Sequence, residues 1–285
     1  MSARKKYRRS PRGASHGDGL AIGPAGRRYL DASRRPLEIL LFLLPLVVLY
    51  ELWLLLELRA GPAVLTNKAH ETVYRFLGLF GGLFGLDVNP SGLWALSLPG
   101  VLLVAILLGW QFASRNSWKA EPRTVGLMAI ESLLAAAALV VVARLIASVP
   151  GGGLPLGAAA STGDGSIRSL SLGGRLAISV GAGLYEEMVF RLGLMSLVVW
   201  GLGSVLGWRE GPTLAIAIAV SALLFAIYHP LRDATGAVDR RRLAFFLVAG
   251  AWFATLYALR GFGIAVGAHA GYDVAVTLLA GASDG

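Results

Sequence analysis

Hydrophobic positions in this chain come in long, nearly uninterrupted runs rather than the one-sided stripes of a water-soluble helix. The runs cover about residues 37–58, 93–112, 125–148, 175–199, 212–229, 243–260 and 262–281. Each is close to the roughly 20 residues that an α-helix needs to cross a bilayer. They predict an all-α, polytopic transmembrane helix bundle. One further stretch, Phe76 to Leu86, holds eleven apolar or Gly residues after Lys68, Glu71 and Arg75. It reads either as a re-entrant or interfacial helix or as a short span, so seven to eight spans are expected. Turn formers separate the runs at Pro62, Asn89-Pro90, Glu121-Pro122, Pro150 with its three glycines, Gly211-Pro212 and the charged stretch from Leu231 to Arg242. No internal repeat points to a transporter built from two related halves.

Composition narrows the picture. With 285 residues, 55% hydrophobic and 15% charged, the spans consume most of the chain and leave no room for a sizeable soluble domain. The expected organisation is a basic, disordered cytoplasmic arm over 1–36 and a single transmembrane domain over 37–285. Ten of the 26 Lys and Arg residues lie in that arm. The positive-inside rule and attraction to anionic lipid account for them, and no aromatic or motif pattern accompanies the charge to suggest a nucleic-acid partner. The arm has no short apolar core beside a small-residue cleavage site, so it is not read as a secretory signal. The absence of cysteine excludes disulfides, a thiol nucleophile and thiolate metal ligands. The arginine loop makes the span count matter. Eight crossings put Arg232 and Arg240, Arg241 and Arg242 on the face of the arm, as the charge rule favours, and seven put them opposite.

Charges inside the spans are the exceptions to explain. Glu38, Glu57 and Arg144 lie near span ends, where they can snorkel. Glu51 and Glu131 lie deeper and are expected to be structural hydrogen-bonding groups. Six others gather in the last third of the chain: Glu186, Glu187, Arg191, His229, His269 and Asp273. Ionisable groups at that depth cost several kcal/mol unless paired or hydrated, and by default mark chemistry or transport. Glu187 and Arg191 are four residues apart on one helix face and can pair. Glu186 is turned about 100° away, with no partner in its own helix, which suits a general base. Phe225 and His229 share a face just before Pro230. His269 and Asp273 are one turn apart, flanked by Gly267 and Gly271, a small-residue pair that admits another helix closely. Placed on straight ideal helices, His229 falls near one end of its span and His269 about 10 Å from the opposite end, so their meeting is not given by the spacing.

Glu186-Glu187-x-x-x-Arg191, Phe225-x-x-x-His229 and His269-x-x-x-Asp273 resemble, in order, the motifs of the CPBP family, which comprises CAAX prenyl proteases and bacteriocin-processing (Abi) membrane proteins. Phe246-x-x-x-Gly250-x-x-x-Ala254 is similar to that family's small-residue packing helix. The resemblance covers about 172–280. It implies a glutamic intramembrane endopeptidase in which a water held between carboxylate and imidazole attacks a peptide carbonyl. By position, Glu186 would be the base and His229 would hold and polarise the water. His269 and Asp273 would stabilise the oxyanion, and Glu187, Arg191 and Phe225 would support them. Many family members carry Asn where this chain has Asp273. An ionised Asp cannot donate a hydrogen bond, so Asp273 is expected to act by orienting His269.

No cofactor is expected. The metal alternative is a zinc site of Glu186, His229 and His269, although no His-Glu-x-x-His is present. The expected partners are membrane lipids and a protein or peptide substrate at the membrane, and abundant Ala, Gly and Arg point to a bacterial plasma membrane. Two other classes fit the same polar cluster: a catalytically silent scaffold for a membrane partner such as a sensor kinase, and a proton-coupled transporter.

Overall fold

A computed structural model describes residues 24–60, 66–85, 93–148, 170–233 and 235–283. Its helices are α1 (Pro24–Ala32), α2 (Pro36–Ala60), α3 (Lys68–Leu83), α4 (Leu93–Ser114), α5 (Pro122–Ala147), α6 (Leu172–Val205), α7 (Glu210–Tyr228), α8 (Arg240–Arg260) and α9 (Phe262–Ser283). The described residues contain no strand beyond an isolated bridge between Arg232 and Val238. The expected all-α bundle is therefore observed. Seven helices are long and apolar enough to cross a membrane, and they match the seven expected runs. Many large apolar side chains on them point outward, among them Leu133, Leu134 and Leu145, as lipid-facing positions do. The arm lies outside the described residues up to position 23, and from Pro24 the chain is already helical. The Pro62, Asn89-Pro90 and Pro150 turns and the Glu57 side chain also lie outside the described residues.

Helix α3 settles the span count. It starts at Lys68, earlier than expected, because the Asn67 side chain accepts from the Ala69 N–H and caps its first turn. It ends after 16 residues, short of a span. Its neighbours in sequence run antiparallel to each other. Leu37 N–H, at the start of α2, donates to Gln111 near the end of α4, and Glu51, late in α2, lies against Gly100, early in α4. Since α3 alone separates these two helices, it adds no net crossing. The result is seven candidate crossings, and the arginine loop after α7 lies at the end of the bundle opposite α1. The charge rule's preference for eight is overturned by this packing.

Glycine contacts position the helices that matter. A Cβ on Gly183 of α6 would come 2.6 Å from the Ala270 backbone of α9, so these two helices touch through their main chains. A Cβ on Gly250 of α8 would come 2.9 Å from the Ala222 backbone of α7. Helix α9 runs parallel to α5, with Gly263, Gly267 and Gly271 against Met128, Ser132 and Ala136 in matching four-residue steps. Of the expected Gly267 and Gly271 pair, Gly267 makes the close approach, with Ser132 Oγ and the Phe42 ring where a Cβ would be.

The corner between α8 and α9 is recessed, which removes the apparent mismatch between the two histidines. Gly261 turns the chain at φ 92°, a conformation that favours glycine. Arg260 beside it pairs with Glu131, nine residues or ~13 Å along α5 from Pro122. Tyr29 of α1 and Ser33 just after it also contact this pair, and Arg34 reaches the Leu259 carbonyl, so α1 and the turn that follows it cover the corner. Adding the ~10 Å from Phe262 to His269 brings that ring to nearly the ~28 Å at which α7 ends.

Candidate active site

Both glutamates end the regular α-helical part of α6 (Leu172–Glu187), and a wider π-helical stretch follows at once over Met188–Met195. Such π segments often occur at functional sites. Arg191, inside it, donates from Nη1 to Glu187 Oε1 at 2.9 Å and from Nη2 to the Gly250 carbonyl at 2.9 Å. The expected pair is present, and both members are fully buried. The Gly250 carbonyl, invisible in a residue-type motif, completes the guanidinium's anchorage.

Pro230 shapes the second element. The residue before a proline is driven out of the helical region, and His229 adopts φ −88°, ψ 159° directly after α7. Its ring folds back so that Nδ1 lies 2.7 Å from the Phe225 carbonyl. A carbonyl only accepts, so Nδ1 carries a hydrogen, which leaves Nε2 as the ring nitrogen that faces the site. That atom lies 3.4 Å from Glu186 Oε2. The carboxylate without a partner in its own helix thus faces the His229 ring.

The third element comes from α9. His269 Nδ1 lies 2.8 Å from Glu187 Oε1, which therefore accepts from both Arg191 and His269. His269 Nε2 lies 3.5 Å from Asp273 Oδ2 and 3.9 Å from Glu186 Oε2. Asp273 is thus next to the ring as the spacing predicted, but on the Nε2 side. The hydrogen bond that fixes the ring belongs to Glu187. Glu186, Glu187, Arg191, His229, His269 and Asp273, drawn from an 88-residue stretch of sequence, all meet here and all are buried. Among the described residues, no group of three or more His, Asp or Glu is arranged to hold a metal ion.

Four polar atoms of this cluster have no hydrogen-bond partner: Glu186 Oε2, Glu187 Oε2, Asp273 Oδ1 and Arg191 Nε. Buried polar groups are nearly always satisfied, so several orphaned atoms around one point mark a place built to receive polar groups. Aromatic rings enclose it. Phe225 lies 4.5 Å from the His229 ring and 5.8 Å from the His269 ring, with the Arg191 guanidinium 4.6 Å from its face. At the rim, Lys68 of α3 donates to the Tyr228 carbonyl at 2.6 Å and sits 3.9 Å above the Tyr228 ring. Neither Lys68 nor Phe253, whose ring lies flat on His269, carries a signal in the sequence that singles it out.

Residues 168–275 match the family model described as type II CAAX prenyl endopeptidase Rce1-like. All three motifs lie inside that segment, and the match agrees with the CPBP/CAAX protease resemblance that they carry. No curated protein and no solved structure matches the chain.

Proposed function

We propose that this integral multi-pass membrane protein is a glutamic intramembrane endopeptidase that hydrolyses a peptide bond of a membrane-associated or lipidated substrate without a metal. The observation that carries the reading is the buried approach of Glu186 Oε2 and His229 Nε2, 3.4 Å apart with no hydrogen bond between them. A water donating one hydrogen to each satisfies both and keeps its lone pairs free for a carbonyl carbon. The family match supports peptide hydrolysis as the reaction.

In the first step the water oxygen bonds to the carbonyl carbon as Glu186 removes a proton, and the carbonyl π electrons move onto oxygen. His269, doubly protonated, donates from Nδ1 to Glu187 and from Nε2 towards the oxyanion. Collapse breaks the C–N bond, and the proton held by Glu186 passes to the departing amine. Arg191 holds Glu187 still, so that the His269 ring stays aligned. The apolar rings around the site raise the value of each aimed dipole.

Glu186→Gln tests this. Quantitative comparison of membrane proteomes from cells carrying either form should show substrates that accumulate uncut in the variant. Identical proteomes, with the variant still folded and still holding a membrane partner, would establish the scaffold instead. For orientation, the arm's charge supports an amino terminus in the cytoplasm, with the α7 end and His229 towards the other face. In this cysteine-free chain, a cysteine at Thr235 should label with an impermeant maleimide from outside, and one at Asn116 should not.

A further inference from the structure

Helix α8 brings no acid or base to the site, yet both imidazoles rest on it. The His229 ring is stacked on Phe246, with centroids 4.1 Å apart and planes 23° apart. The His269 ring is stacked on Phe253 at 4.5 Å and 14°. These phenylalanines are seven residues apart, on one face of α8, and both are buried. Between them lies Gly250, whose carbonyl holds Arg191 and whose missing Cβ lets α8 press against α7.

The stacking supplies what the hydrogen bonds leave open. Each imidazole is held at Nδ1 by one acceptor, the Phe225 carbonyl for His229 and Glu187 for His269. One bond fixes a point of the ring, and the final torsion of a histidine is broad. A plate parallel to the ring stops it tilting about that point, so Nε2 keeps one direction. Phe225 fills the gap from the side and cannot serve both rings as a parallel face, since its plane is 46° from one and 68° from the other. We infer that Phe246 and Phe253 are paired positioning residues, one behind each imidazole, that aim the two Nε2 atoms at the reacting centre. This role rests on the hydrolysis proposed above.

The test uses Phe246→Leu and Phe253→Leu, which keep apolar bulk and remove the flat face, beside Phe246→Tyr and Phe253→Tyr, which keep it. In detergent, all four should melt cooperatively. The leucine variants should lose about tenfold to a hundredfold in kcat at unchanged KM, and the tyrosine variants should retain activity. Proton NMR gives a readout independent of turnover. Phe253→Leu should move only the ring protons of His269 downfield, by removing its ring current, and Phe246→Leu only those of His229. Unmoved histidine signals, or leucine variants with wild-type kcat, would overturn the assignment. A wild-type protein that shows the signal pattern but cleaves nothing would instead sink the hydrolase reading, a separable result.

Discussion

Two clusters of charge lie at different depths of the bundle, one partly exposed and one buried, and they differ in how their carboxylate oxygens are used. In the clamp beneath α1, both Glu131 oxygens are taken: Arg260 binds them through Nε and Nη2, and the Tyr29 hydroxyl adds a third bond. In the α6–α7–α9 cluster, Glu187 Oε1 accepts twice, while one oxygen each of Glu186, Glu187 and Asp273 has no partner. Both clusters carry the cost of removing charge from water. The clamp satisfies its carboxylate within itself, as a structural pair does, and leaves Arg260 Nη1 without a partner. The other cluster leaves one oxygen on each of three carboxylates unmet, and unmet carboxylate bonding capacity separates chemistry from support.

The sharpest way to break this contrast is to neutralise one carboxylate in each cluster without changing its shape. Glu186→Gln should reduce cleavage by about 10²–10⁴-fold, the range for a lost general base, and leave the melting temperature within a few degrees of wild type. Glu131→Gln should do the reverse. It weakens a half-exposed pair, so about 1–2 kcal/mol of stability should disappear while the folded fraction retains wild-type kcat. Melting curves and initial rates on the same preparations decide the matter, and an exchange of the two outcomes would mean that the clusters have been assigned the wrong way round.

Much of this division was legible in the chain. Run lengths predicted the seven spans, and i,i+4 spacing predicted the Glu187–Arg191 pair and the nearness of Asp273 to His269. Glu51 and Glu131 were expected to be hydrogen-bonded, and they are, Glu51 by the Tyr185 hydroxyl. What the chain did not show depends on relations between helices. The meeting of His229 and His269 needs the recessed corner at Gly261, and one-dimensional spacing carries no depth. The α3 reversal is hidden for the same reason, because only the antiparallel packing of α2 on α4 shows that no crossing is added. Glu187 as the partner of His269 Nδ1 lies 82 positions away in sequence, whereas Asp273 was visible at one turn.

That last relation gives the next prediction. Glu187→Gln keeps the size of the side chain but removes the charge shared by Arg191 and His269. A neutral amide leaves the buried guanidinium without its anion and holds the imidazole less firmly. Stability should fall by about 3 kcal/mol and cleavage by on the order of 10²-fold, so this variant should show both the clamp's symptom and the site's. A rate loss with no change in melting would place Glu187 with Glu186 as a reacting group, and a stability loss alone would move it to the supporting side.

Asp273→Asn should have the smallest effect. Asp273 sits 3.5 Å from His269 Nε2, on the side facing the reacting centre, and one of its oxygens is unpartnered. It does not fix the ring, since Glu187 does. An amide at 273 removes a negative charge beside the position where the oxyanion develops and adds an N–H that can donate to it. The two changes act in the same direction, and a slightly weaker electrostatic hold on the imidazole opposes them. Cleavage should therefore change by less than about tenfold, with the melting temperature unchanged or raised. A collapse on the scale of Glu186→Gln would show that Asp273, and not Glu187, sets the imidazole, and the contrast between supported and reactive carboxylates would then have to be redrawn within α9 itself.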